Sequence, residues 1–216
     1  LKTASFPAAT VNTFINPGGG TVEYYNTANF VLPATQTTYN NLTINCPGAI
    51  ATQTGNFTLN GNLKVENGTY QINDGSSSRR SLIISGDVTI NSGAFLTVGT
   101  GRTNSTTDPT SVGTGGTAPF LDYYVSQSHR VEVYGNFINS GTVRFTNQSY
   151  PDFNNFPDNG FATVFFRGAS DNTLTCIGTT DFYNIIVDKG VDQTYVLTLN
   201  SAGYNRVRIF GANTAS

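Results

Sequence analysis

Three segments of this 216-residue chain repeat one pattern, and that repeat constrains the fold more than any other feature. They run from Phe57 to Ile72, from Leu82 to Val98 and from Val131 to Phe145. Each reads apolar-x-apolar-x-Gly-[Asn/Asp]-apolar, then a second glycine, then apolar-x-apolar. Gly61, Gly86 and Gly135 hold the first turn; Gly68, Gly93 and Gly141 hold the second. Period-two alternation marks strands with one buried face. Each strand lasts only a few residues before Gly or Asn, the residues that tolerate the left-handed backbone of a sharp corner. Gly61 and Gly86 are 25 positions apart. An antiparallel sandwich has no reason to repeat sequence at such a step, whereas a solenoid does. The spacing predicts an all-β chain folded as a right-handed parallel β-helix, with coils about 4.8 Å apart. Leu59 and Leu63, Ile84 and Val88, and Val133 and Phe137 should point inward. Asn62, Asp87 and Asn136 should stack at one corner.

Composition agrees and removes other classes. Only 11% of residues are charged and the formal net charge is -2. No basic excess is available to displace counterions from a phosphate backbone, so nucleic acid is not an expected partner. No apolar run approaches the roughly 20 residues of a membrane helix, so no membrane insertion is expected. Thr, Asn and Gly are abundant and are poor helix formers. A second pairing of segments, Thr21–Tyr24 with Tyr39–Ile44 and Thr163–Phe166 with Phe182–Val187, suggests a larger cycle that restarts near residue 163. Residues 1–20 read as an N-terminal cap or linker, and 21–216 as the β-helix, a fragment of a longer solenoid.

The stretches Gly86 to Val98 and Thr163 to Val187 resemble repeats in large secreted and cell-surface proteins of Bacteroidetes-type bacteria. The resemblance spans most of residues 20–210. It implies an adhesin-like β-helix exported by the type IX route, hence a secreted or cell-surface location. It transfers no catalytic motif. The partners it implies are surface glycans, other cell-surface or secretion proteins, and adjoining modules of the same polypeptide.

The interruptions of the repeat carry the functional expectations. Asp74 to Arg80, about 99–129 and 146–161 all follow the same strand of the repeat, so all three should leave at one corner. Long loops on a rigid scaffold commonly carry binding sites. Tyr123, Tyr124, Tyr150, Phe153 and Phe156 lie in the two longer insertions beside Asp and Asn. Rings that stack on sugars, next to groups that bond hydroxyls, are the expected glycan-binding residues; the same rings could instead fasten the loops to the scaffold. For a carbohydrate-active enzyme, a polysaccharide lyase or glycoside hydrolase, the candidate acids are Asp122, Glu132, Asp152 and Asp158. Glu132 and Arg144 are also expected as an outward, solvated pair. His129 is the one histidine, so no histidine-based metal cluster is expected, and neither is a cofactor. The leading expectation is a non-enzymatic structural or adhesive module. Cys46 and Cys176 fall about four coils apart, roughly 19 Å at 4.8 Å per coil, too far for a disulfide. Two free inward thiols are predicted.

Overall fold

The computed structural model describes residues 1–2, 6–7, 12–76, 78–100, 128–147, 160–192 and 194–210. The chain is all-β, and every pairing between its named strands is parallel. The strands recur in cycles. The first holds β1 (Thr21–Tyr25), β2 (Phe30–Val31) and β3 (Thr38–Tyr39). The second holds β4 (Asn41–Gln53), which spans two strand positions, and β5 (Phe57–Leu59). The third holds β6 (Leu63–Ile72), again double, and β7 (Ser81–Ile84). The fourth holds β8 (Val88–Ile90), β9 (Phe95–Val98) and β10 (His129–Val133). The fifth holds β11 (Phe137–Asn139), β12 (Thr142–Arg144) and β13 (Ala162–Arg167). The sixth holds β14 (Asn172–Cys176), β15 (Thr179–Phe182) and β16 (Asn184–Asp188). The last holds β17 (Leu197–Ser201) and β18 (Val207–Ile209).

Each strand pairs with its counterparts one cycle earlier and one later. The third strands of successive cycles form one sheet, β16-β13-β10-β7-β5-β3; the first and second strands form the other. Register aligns the apolar positions into columns. Val22, Leu42, Leu63, Val88, Phe137, Leu174 and Leu199 are successive partners. The first six are buried, and Leu199, on the last cycle, is 55% exposed. Leu59, Ile84 and Val133 are buried as the alternation requires. Aromatic rings fill the interior at both ends, with Tyr24, Tyr39 and Phe57 meeting edge to face, and Phe137, Phe166 and Phe182 doing likewise.

The corners follow the sequence pattern. Asn41 Oδ1 accepts the Asn62 N–H at 2.8 Å, Asn62 Oδ1 the Asp87 N–H at 2.8 Å, and Asp87 Oδ1 the Asn136 N–H at 2.7 Å. Asn136 Oδ1 extends the ladder to the Thr173 N–H at 2.9 Å. Beside it the Gly86 N–H donates to the Gly61 carbonyl at 2.9 Å. A Cβ on Gly86 would sit 2.8 Å from that carbonyl and against Asn62 Oδ1, so this corner admits glycine alone. Gly93 meets a different demand: its φ is +80° in open space.

Two expectations need correction. The Thr21–Ile44 and Thr163–Val187 pairings share a spacing but not a place. β1 pairs β4 in one sheet, whereas β13 pairs β16 in the other. The similarity reflects two cycles of about 20 residues at different strand positions, not a larger period. Glu132 and Arg144 are not a pair either. Glu132 is buried and bonded to Arg130 and Arg167, while Arg144 lies beside Asp181. The two belong to different strand positions: Arg144 meets Asp181 in register on the next strand, whereas Glu132 pairs with Arg130 on its own strand and with Arg167, two residues beyond its register partner Phe165. Cys46 and Cys176 are free and buried, in the second and sixth cycles.

Candidate functional site

All three interruptions connect the second strand position to the third. They join β6 to β7, β9 to β10, and β12 to β13, which are adjacent in both sheets. One edge of the stack therefore carries them together. The register on either side is undisturbed: Gln71 still faces Thr97, and Ser81 still faces Arg130. At the base of the third interruption an antiparallel bridge joins Thr146 to Phe161, and the Phe161 ring lies 4.3 Å from the Tyr183 ring.

Of the residues expected to act at this edge, Glu132 is described. Asp122, Tyr123, Tyr124, Tyr150, Asp152, Phe153, Phe156 and Asp158 lie outside the described residues. Glu132 stands on the outward side of β10, yet it is only 6% exposed. Arg130 bonds Oε1; Arg167 Nε approaches Oε2 at 3.3 Å, and the Tyr134 hydroxyl donates to Oε2 at 3.1 Å. Arg167 also reaches Asp188 at 3.0 Å. Phe165, directly opposite Glu132 in register, lies under both guanidinium groups, 4.1 Å from Arg130 and 5.1 Å from Arg167. Burial, and then the Glu132 charge, raise the Tyr134 phenol above its ordinary range. Two guanidiniums and a hydroxyl thus hold this carboxylate as a hydrogen-bond acceptor.

A second ion column was not anticipated. Arg144, Asp181 and Arg208 are direct register partners on three consecutive strands of one position. The Asp181 side chain has no exposure, while those of Arg144 and Arg208 are 36% and 27% exposed. The sequence signal is present but distant: an outward cation, an outward anion and an outward cation at equal places in cycles of unequal length.

The interruption before β7 carries a third arginine group. Arg79 Nε donates to the Ser128 carbonyl at 2.8 Å, and the Arg80 N–H donates to His129 Nδ1 at 3.0 Å. That bond makes Nδ1 the unprotonated nitrogen of a neutral imidazole. His129 is thus a buried residue at a strand start. Among the described residues no group of three or more His, Cys, Asp or Glu side chains is placed to hold a metal ion. Among them, too, no helix is long and apolar enough to cross a membrane.

Comparison with family models, with curated proteins and with solved structures finds no match to this chain.

Proposed function

We propose that this chain is a right-handed parallel β-helix module that acts outside the cell as a stiff structural or adhesive element of a larger bacterial surface or secreted protein. Its ligands on this reading are surface glycans, taken at the edge that carries the three interruptions. Strand–crossover–strand connections between parallel strands are right-handed in about 98% of cases, which supports the hand. The resemblance to Bacteroidetes-type repeats supports the location and the type IX route of export.

One observation carries the functional reading: three interruptions of very different length leave the same strand junction in consecutive cycles without shifting the register. A fold that keeps its ladder constant while varying one edge suits display more than chemistry. Nothing at Glu132 favours a hydrolase or lyase, since its carboxylate is already bound by Arg130 and Arg167. A glycan array probed with the 216-residue chain tests the proposal. Selective binding that is lost when Tyr123, Tyr124, Tyr150, Phe153 and Phe156 are replaced together by Ser supports an adhesive edge. No binding to any glycan overturns that part and leaves a scaffold.

A further inference from the structure

The Arg79–Arg80 pair ends the interruption before β7, and Arg130 lies alongside it in β10. Together with Asn56 and Ser81 these arginines line a polar cavity of about 290 Å³. Three of the chain's 11 basic residues thus converge on one small space. The scaffold sets their positions. Arg130 is the register partner of Ser81, and its N–H donates to the Arg80 carbonyl at 2.9 Å. The Ser81 N–H donates to Asn56 Oδ1 at 3.0 Å. Ser128 and His129 anchor the other two arginines.

Among the described residues, the Arg80 guanidinium reaches the Asp74 carboxylate at 3.9 Å and donates to Ser76 Oγ at 3.4 Å. Glu132 serves Arg130 but is shared with Arg167. Arg80 Nε is buried and has no hydrogen-bond partner, so a donor stands desolvated at the cavity. Burial, and then the Arg130 charge, push the Arg79 guanidinium down. Clustered guanidiniums with an unmet N–H suit a planar or tetrahedral oxyanion, which a guanidinium fork binds with two parallel hydrogen bonds. The cavity lies near the lower end of the roughly 300–1,000 Å³ range of small-ligand sites, room for one charged ring substituent rather than a long chain.

We infer that this arginine cup binds an acidic glycan through a uronate carboxylate or a sulfate ester. The inference rests on the glycan-binding reading above and adds the charge class of the ligand and the residues that select it.

Calorimetric titration of the whole chain tests it, with trigalacturonate, a sulfated trisaccharide, neutral maltotriose and inorganic sulfate as probes. The expected result is binding of one or both acidic oligosaccharides, weakened as salt rises. The Arg80→Gln variant should bind about tenfold more weakly or worse, the loss of one charge-assisted contact. Arg79→Gln is the parallel variant should Arg80→Gln not fold, and Lys64→Gln, on another face, should bind as wild type. Preference for the carboxylated or the sulfated probe identifies the group; either supports the inference. Inorganic sulfate bound as tightly as the sulfated sugar marks an adventitious ion only and overturns it. So does acidic-glycan binding that both arginine variants retain. Binding of neutral glycans alone overturns the arginine cup while leaving the glycan-binding module intact; silence from every glycan removes both.

Discussion

Arg208 closes on Asp181 with two contacts, Nε to Oδ1 at 2.6 Å and Nη2 to Oδ2 at 2.7 Å. On the opposite flank of the same carboxylate, Arg144 Nε reaches Oδ2 at 3.1 Å. Asp181 is thus a fully buried anion between two partly exposed cations. Either arginine alone still compensates it. Arg144→Met and Arg208→Met should each cost about 1 kcal/mol, whereas the double variant should cost about 3–5 kcal/mol because it strands a buried charge. Denaturant unfolding of the four proteins in the cycle measures this; simple additivity would contradict it.

Tyr70 is buried and donates its hydroxyl to Gln53 Oε1 at 2.7 Å. Gln53 Nε2 in turn donates to the Gly55 and Ser81 carbonyls at 2.7 and 2.8 Å. Tyr70→Phe leaves a buried acceptor unmet and should cost about 1–3 kcal/mol. Gln53→Leu also strands the Gly55 and Ser81 carbonyls, so it should destabilise by itself, but it should cost less in the Tyr70→Phe background, where the shared hydrogen bond is already gone. A melting-temperature cycle shows whether the two changes are coupled.

Alkali should unfold the protein. Burial raises the pKa values of Tyr24, Tyr39 and Tyr70, and those of the Cys46 and Cys176 thiols, above their ordinary ranges. The unfolded chain releases thiol protons near pH 8.5 and phenol protons near pH 10, while the folded chain keeps them. Stability from these groups is therefore complete below about pH 8.5 and falls as pH climbs through and beyond 10. Lys189, pushed down by burial, acts in the opposite sense over its own window. Melting temperature against pH reads the sum, and a flat profile to pH 11 would refute it. Both thiols should also resist a thiol reagent until denaturant is added.

Two glycines in one repeat should respond differently to the same substitution. Gly93→Asn should be nearly silent, because asparagine accepts the left-handed backbone and the space is open. Gly86→Asn should cost about 1–3 kcal/mol or more, because any side chain there meets the cycle below. Equal effects in thermal melts would mean that corner geometry, not stacking distance, dictates glycine at both.

Leu174 and Leu199 are register partners with opposite exposure. Leu174→Lys buries a charge in the column and should abolish folding. Leu199→Lys should leave the melting temperature nearly unchanged and lower any self-association, since β17 pairs on one side alone among the described residues and a charge on such a side discourages further pairing. Sedimentation at several concentrations distinguishes the two.

The ladder at Asn62, Asp87 and Asn136 was legible in the sequence because residue type, glycine neighbour and apolar flank recur together. The same recurrence foretold the burial of Leu63, Val88 and Phe137 and the common origin of the interruptions. What the sequence hid was partnership across cycles of unequal length. Glu132 finds Arg167 35 positions away, and Asp181 finds Arg144 and Arg208 at 37 and 27. No fixed period connects these residues, because insertions and trimmed corners change the step from cycle to cycle. The Thr163–Val187 stretch misled for the same reason: equal spacing identifies successive cycles but not the strand position they occupy.

The junction between Val98 and His129 shows how thoroughly this architecture separates length from geometry. The strands it joins keep their neighbours although 30 residues intervene, whereas a single residue, Tyr183, makes the equivalent passage from β15 to β16. A junction that spans one residue in one cycle and 30 in another is a natural socket for grafted peptides. Foreign segments could be exchanged there cycle by cycle, several side by side, with the underlying ladder acting as a ruler that sets their separation at about 4.8 Å per step.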